Sequence, residues 1–77
     1  MFTQKLLERK LRELNSKESL TDEERGFKAG YKRGLELLNN KKKLNREVNT
    51  LMDQENKSKF DWGKIKKLRN TLQLLNK

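Results

Sequence analysis

Gly26, Gly30 and Gly34 stand four residues apart in a stretch whose apolar residues keep helical spacing. Four-residue spacing stacks the three along one side of a helix. Each glycine in a helix interior costs about 1 kcal/mol against alanine, so about 3 kcal/mol is forgone along the stripe. Something must offset that loss, and a backbone stripped of side chains offers a neighbouring helix a closer approach than usual. In a membrane the same spacing pairs spanning helices, but Arg25, Lys28, Lys32 and Arg33 interrupt the stretch and exclude a span. The expected occupant of the groove is the first helix, the last helix or a second copy of the chain. The plainer alternative is a frayed, irregular helix.

Around this stripe the chain reads as helices joined by polar breaks, since it has no proline and its apolar residues seldom alternate. A first helix is expected from about Phe2 to Asn15, with Leu7, Leu11 and Leu14 on one stripe and Leu6 on its flank. Thr21-Asp22-Glu23-Glu24 has the form of a capping box, and its acidic first turn suits the positive end of a helix dipole. From there Phe27, Tyr31, Leu35 and Leu38 step by four, four and three and draw one apolar face beside the glycines.

Leu37, Leu44, Val48 and Leu51 form a second stripe, rotated by about 100° from the first at 3.6 residues per turn. Two readings fit. Either one long helix runs over 21–55, or it breaks near 39–44, where Asn39-Asn40 ends it and Asn45 caps a new one. The continuous helix is the favoured reading, although it turns Lys41 and Lys42 towards the apolar side, where they must snorkel. A last helix is expected over 62–76, capped by Asp61 or Ser58, with Trp62, Ile65, Leu68, Leu72 and Leu75 on its buried face.

Length and composition limit what these helices can build. The chain has 77 residues, of which 31% are hydrophobic, enough for one small domain over 1–77 with a thin core. It has no cysteine and no histidine, so neither a disulfide nor the usual zinc site can staple it. Self-association is the remaining ordinary route, and a homodimer is expected. No segment has the roughly 20 apolar residues of a membrane span, and the first ten residues lack an apolar run of signal-peptide length. A cytoplasmic protein is the expectation.

Twenty Lys and Arg face eleven Asp and Glu, a net charge of +9, which points to polyanionic partners: DNA, RNA, an acidic protein surface or anionic lipid. Lys- and Asn-rich composition of the kind an AT-rich coding sequence produces is the plainer source of that charge. On a continuous second helix Arg25, Lys28, Lys32, Lys43 and Arg46 fall in a narrow sector, interrupted by Glu36 and flanked by Arg33. The sector is about 31 Å long at 1.5 Å per residue, close to one turn of duplex DNA. Such a stripe can follow phosphates, with Lys66, Lys67 and Lys77 adding charge from the last helix, or it can be a solvated face. Asn39-Asn40-Lys41-Lys42-Lys43 reads either as a phosphate clamp or as cations near a helix C-terminus. The few aromatic residues fit core positions, with Trp62 and Phe60 as an alternative stacking or anchoring pair.

Catalysis has little material. The carboxylates sit mainly at helix starts or in i,i+4 pairs, no phosphate-cradling glycine loop is present, and Asp53, Glu55 and Asp61 show no ligand spacing for magnesium. The expectation is therefore an all-α protein of three or four helices, with a long central helix, no cofactor and no catalytic site. Two partner classes follow: nucleic acid along the Lys/Arg stripe, or a host protein docked by amphipathic helices, as by a phage inhibitor or adaptor. A basic amphipathic helix on a membrane surface is weaker, because glycines stand where insertion needs Leu or Trp. Size and composition suggest an accessory protein of a phage or mobile element.

Overall fold

The computed structural model describes residues 2–76, and these form four helices: α1 (Phe2–Asn15), α2 (Asp22–Glu36), α3 (Lys41–Met52) and α4 (Lys59–Leu75). Lys77, expected to add charge, lies outside the described residues. The start of α2 follows from its capping box. Thr21 Oγ1 accepts from the Glu24 amide at 3.1 Å, and the Thr21 amide donates to the Glu24 carboxylate at 3.0 Å. Lys17, in the link from α1, pairs with that same carboxylate and holds it below the usual carboxylate range.

The long central helix is replaced by two shorter ones. The Leu37 amide still bonds back to the Arg33 and Gly34 carbonyls, but the Asn40 amide closes a tight turn onto the Leu37 carbonyl at 2.9 Å. Asn40, rather than Asn45, then caps α3, its Oδ1 accepting from the Lys43 amide at 3.2 Å. Asn side chains compete for backbone groups and so favour such a cap over a helix interior. Packing completes the reason: the turn brings Leu37, Leu44 and Val48 together on Leu68 of α4, all of them buried. An unbroken helix would have carried that second stripe past the C-terminal end of α4, which runs parallel to α2 and ends at Leu75, with nothing to pack against. Lys41 and Lys42 are exposed here and need no snorkelling.

α4 begins three residues before its expected start, through a second capping box. Ser58 Oγ accepts from the Asp61 amide at 3.2 Å, and the Ser58 amide donates to the Asp61 carboxylate at 3.1 Å. Its buried residues are Gly63, Ile65, Leu68 and Thr71. Trp62, expected on the buried face, is 48% exposed. Gly63 rather than the indole occupies the contact with α2, because that contact has no room for a side chain.

α4 fills the glycine groove of α2. A Cβ on Gly26 would collide with the Phe60 carbonyl, one on Gly30 would come within 2.8 Å of the Lys64 carbonyl, and one on Gly34 within 2.8 Å of Thr71 Oγ1. Gly63 answers from the other side, where a Cβ would strike the Glu23 carbonyl. The paired numbers rise together, so α2 and α4 run parallel, and α3 is the return between them. Thr71 is fully buried, and its hydroxyl stays satisfied by donating to the Lys67 carbonyl at 2.9 Å.

This central pair divides the apolar residues into two clusters. Leu7 and Leu14 of α1 meet Tyr31 of α2, with Leu11, Leu20, Phe27, Leu35 and Leu38 around them. The other cluster joins Leu37, α3 and α4. The result is a slab of 34 × 33 × 17 Å.

Candidate nucleic-acid interface

Charge is unevenly shared among the helices. α2 carries four acidic and four basic residues and is formally neutral, whereas α3 has four cations against one carboxylate and α4 five against one. The single acid of α4, Asp61, is engaged in the capping box. With α1 at four cations against two acids, the strongest electropositive surface lies on the α3–α4 half of the slab, not on the helix with the clearest basic stripe in the sequence.

That stripe does not hold together. Arg25, Lys28 and Lys32 stand on α2, opposite the glycines, while Lys43 and Arg46 ride on α3 beyond the turn. Arg25 also lies 3.9 Å from Asp22. Arg33 is committed elsewhere: its Nε and Nη2 donate to the Glu47 carboxylate at 2.7 to 3.0 Å and tie α2 to α3. Bidentate, charge-assisted geometry of this kind is the stronger class of ion pair. The Arg33 hydrogen bonds hold the Glu47 carboxyl below its ordinary range, with the fields of Lys64 and Lys43 adding to the effect, and the carboxylate in turn raises the guanidinium.

A depressed carboxylate contributes stability that is present above its ordinary titration range and is lost as pH falls through the folded value. Glu47→Gln is therefore expected to lower the melting temperature at pH 7 and to flatten the loss of stability on acidification below about pH 5. Circular dichroism melts of both proteins across pH 3 to 7 check this. Parallel curves would mean that the pair contributes nothing.

Lys67 is partly spent as well. Its ammonium lies 4.4 Å from the centroid of the Phe27 ring and 5.5 Å from that of Tyr31, closing the edge of the α1–α2 cluster. Lys41 and Lys42 border a groove with Asn45, Leu72 and Asn76, beside the C-terminal turn of α4. There they face the negative end of the α4 dipole, although they also crowd the positive end of their own helix.

One broad face remains open. Lys59, Trp62, Lys66, Arg69, Asn70 and Gln73 are all exposed, and at about 100° per residue they share one sector of α4, turned away from the α3 cluster. α2 flanks that sector, and there Lys66 Nζ lies 5.9 Å from the centroid of the Phe27 ring. Lys66, Lys67, Arg69, Asn70 and Gln73 border a shallow groove along it, and Glu23 of α2 borders its N-terminal part beside Trp62 and Lys66. Lys57 Nζ lies 5.2 Å from the centroid of the Trp62 ring. Lys66 and Lys67 are among the cations expected from the sequence, and Lys59 adjoins the expected stacking pair of Trp62 and Phe60, but Arg69, Asn70 and Gln73 are not among those expectations. Their signal was present as a polar stripe opposite the leucines, with Lys59, Lys66 and Gln73 seven residues apart.

Chemically, this face offers cations for phosphates, amides and a guanidinium for base edges, and an indole for stacking. Asp53, Glu55 and Asp61 are not gathered: among the described residues no three His, Cys, Asp or Glu side chains are grouped for a metal ion. No described helix is long and apolar enough to cross a membrane. No protein-family model, curated protein or solved structure matches the chain.

Proposed function

We propose that the protein binds nucleic acid without catalysing a reaction, as a cytoplasmic accessory or regulatory protein of the kind a phage or mobile element encodes. The observation that carries this reading is the exposed face of α4, where Lys59, Lys66 and Arg69 stand among amides with no acid of their own helix beside them. Cations on α3, at Lys41, Lys42, Lys43 and Arg46, extend the same sign of potential across the adjoining helix. Homodimerisation stays part of the proposal. Because α4 already fills the glycine groove, a second copy has to use a different surface.

Fluorescence anisotropy of labelled duplex DNA, single-stranded DNA and RNA at 50 and 200 mM salt tests the proposal. Three phosphate contacts give a slope of about −2.7 in log affinity against log salt on duplex DNA, or about a 40-fold loss over that range. No binding to any of the three at 50 mM salt would sink the reading. The second reading would then lead: a protein-binding module, such as an inhibitor or adaptor, whose charge speeds encounter with an acidic partner. Exposure of Phe60 at 39%, Trp62 at 48% and Met52 at 38% favours it, since large exposed apolar side chains serve as anchors.

A further inference from the structure

The six residues of the open face differ from a phosphate-binding surface in one respect. Lysine and arginine suffice to hold a backbone, yet Asn70 and Gln73 stand beside Arg69 on the exposed side of a helix where asparagine is a poor helix former. Arg, Asn and Gln are the side chains whose paired polar atoms match base edges: Arg the O6 and N7 of guanine, Asn and Gln the N6 and N7 of adenine. Here they lie within five residues on one helical sector.

Shape narrows the occupant further. From Lys59 to Gln73 the face runs about 21 Å at 1.5 Å per residue, and an α-helix is about 10 to 12 Å across. The major groove of B-form DNA, about 12 Å wide, accepts a single helix of that width, whereas its minor groove, at about 6 Å, does not. The major groove of A-form RNA is too narrow for side chains to read. Cations are available at both ends of the helix for phosphates beside the groove, Lys57 and Lys59 at its start and Lys41 and Lys42 beside its last turn.

Resting on the nucleic-acid reading above, we propose that α4 is a recognition helix: its outer face enters the major groove of double-stranded DNA, and Arg69, Asn70 and Gln73 contact base edges. The protein is then sequence-selective, with guanine opposite Arg69 and adenine opposite the amides.

The test is selection of binding sites from a random duplex library by the wild-type protein and by Asn70→Ala, an exposed substitution whose folding a melt will verify. The expected result is an enriched motif containing adenine and guanine positions. Asn70→Ala should lose the preference at one adenine, a discrimination of about 5- to 150-fold, while its affinity for unselected duplex changes less than about threefold. Retained duplex binding with no enriched motif, or a motif unchanged in the variant, would overturn the recognition helix and leave nucleic-acid binding standing. Tighter binding to single strands or RNA than to any selected duplex would overturn it in the same way. Absence of binding to every nucleic acid would remove both proposals.

Discussion

Gly26→Ala is expected to destabilise the protein by about 3 kcal/mol or more, at a helical position where alanine would ordinarily be an improvement. Helix propensity alone favours alanine by about 1 kcal/mol, which in a domain of this size would raise the melting temperature by about 4 to 8 °C. The new methyl group, however, would overlap the Phe60 carbonyl and lie 2.9 Å from the Lys64 amide nitrogen. These are backbone atoms of a packed helix, so no rotamer change relieves the clash, and α4 must move away from α2 along its length. The expected outcome is a fall in melting temperature of about 12 °C or more, read by circular dichroism. A rise would mean that α2 and α4 do not meet through this groove.

Gly34 supplies the control. Its added methyl would meet the Thr71 side chain, Oγ1 at 2.8 Å and Cγ2 at 3.3 Å, rather than backbone. Thr71→Ala removes both atoms, and the hydroxyl it deletes is bonded only within its own helix, to the Lys67 carbonyl. Gly34→Ala should therefore destabilise, and the double variant should recover much of the loss. Recovery of that kind would place the coupling between those two positions and not in a general effect of the glycines on helix propensity.

The same contact explains what could and could not be read from the sequence. The glycine stripe announced a close neighbour, because only a close neighbour offsets three poor helix formers. It could not name that neighbour: the complementary residues on α4 are Gly63, whose side chain is a hydrogen atom, and Thr71, a polar residue that hydropathy assigns to the surface. Trp62, the more conspicuous residue, drew the expected core towards itself and is half exposed instead. The start of α2 was legible because its capping box at Thr21 is local, whereas at α4 the cap stayed divided between Asp61 and Ser58 and the expected start fell three residues late. The break at Asn39-Asn40 was not decided locally, since Leu37, Leu44, Val48 and Leu51 keep helical spacing whether or not the helix is continuous. What decides it is Leu68, some thirty positions away, which collects Leu37, Leu44 and Val48 only after the chain turns. Because the basic stripe was drawn on the continuous helix, its loss follows from that one turn. The open face of α4 was legible as periodicity but is identifiable as a site only once α2 and α3 are known to cover the other sides.

Charge reversal separates the two candidate faces, and its effect on binding should be the largest of any surface change. Lys66→Glu with Arg69→Glu removes two cations from the open face of α4 and puts two carboxylates against the DNA. Affinity for duplex DNA is expected to fall about 10²-fold or more, and neutral Lys66→Gln alone should reduce the salt slope by about one. Reversal of Arg25, Lys28 and Lys32 should change affinity less than about tenfold. Those three lie opposite the glycines and so point away from α4, and four carboxylates on α2 already offset its positive charge. A straight duplex seated on α4 cannot also lie along the far side of α2. Trp62 reports independently which face is used, because it is the only tryptophan in the chain and it stands on the α4 face. Its fluorescence should change on addition of unlabelled DNA, in step with the anisotropy, in the wild type and in the α2 triple variant alike. Loss of binding in the α2 variant, with the α4 variant and Trp62 unaffected, would move the interface to the outer edge of α2 and assign the amides of α4 to solvent.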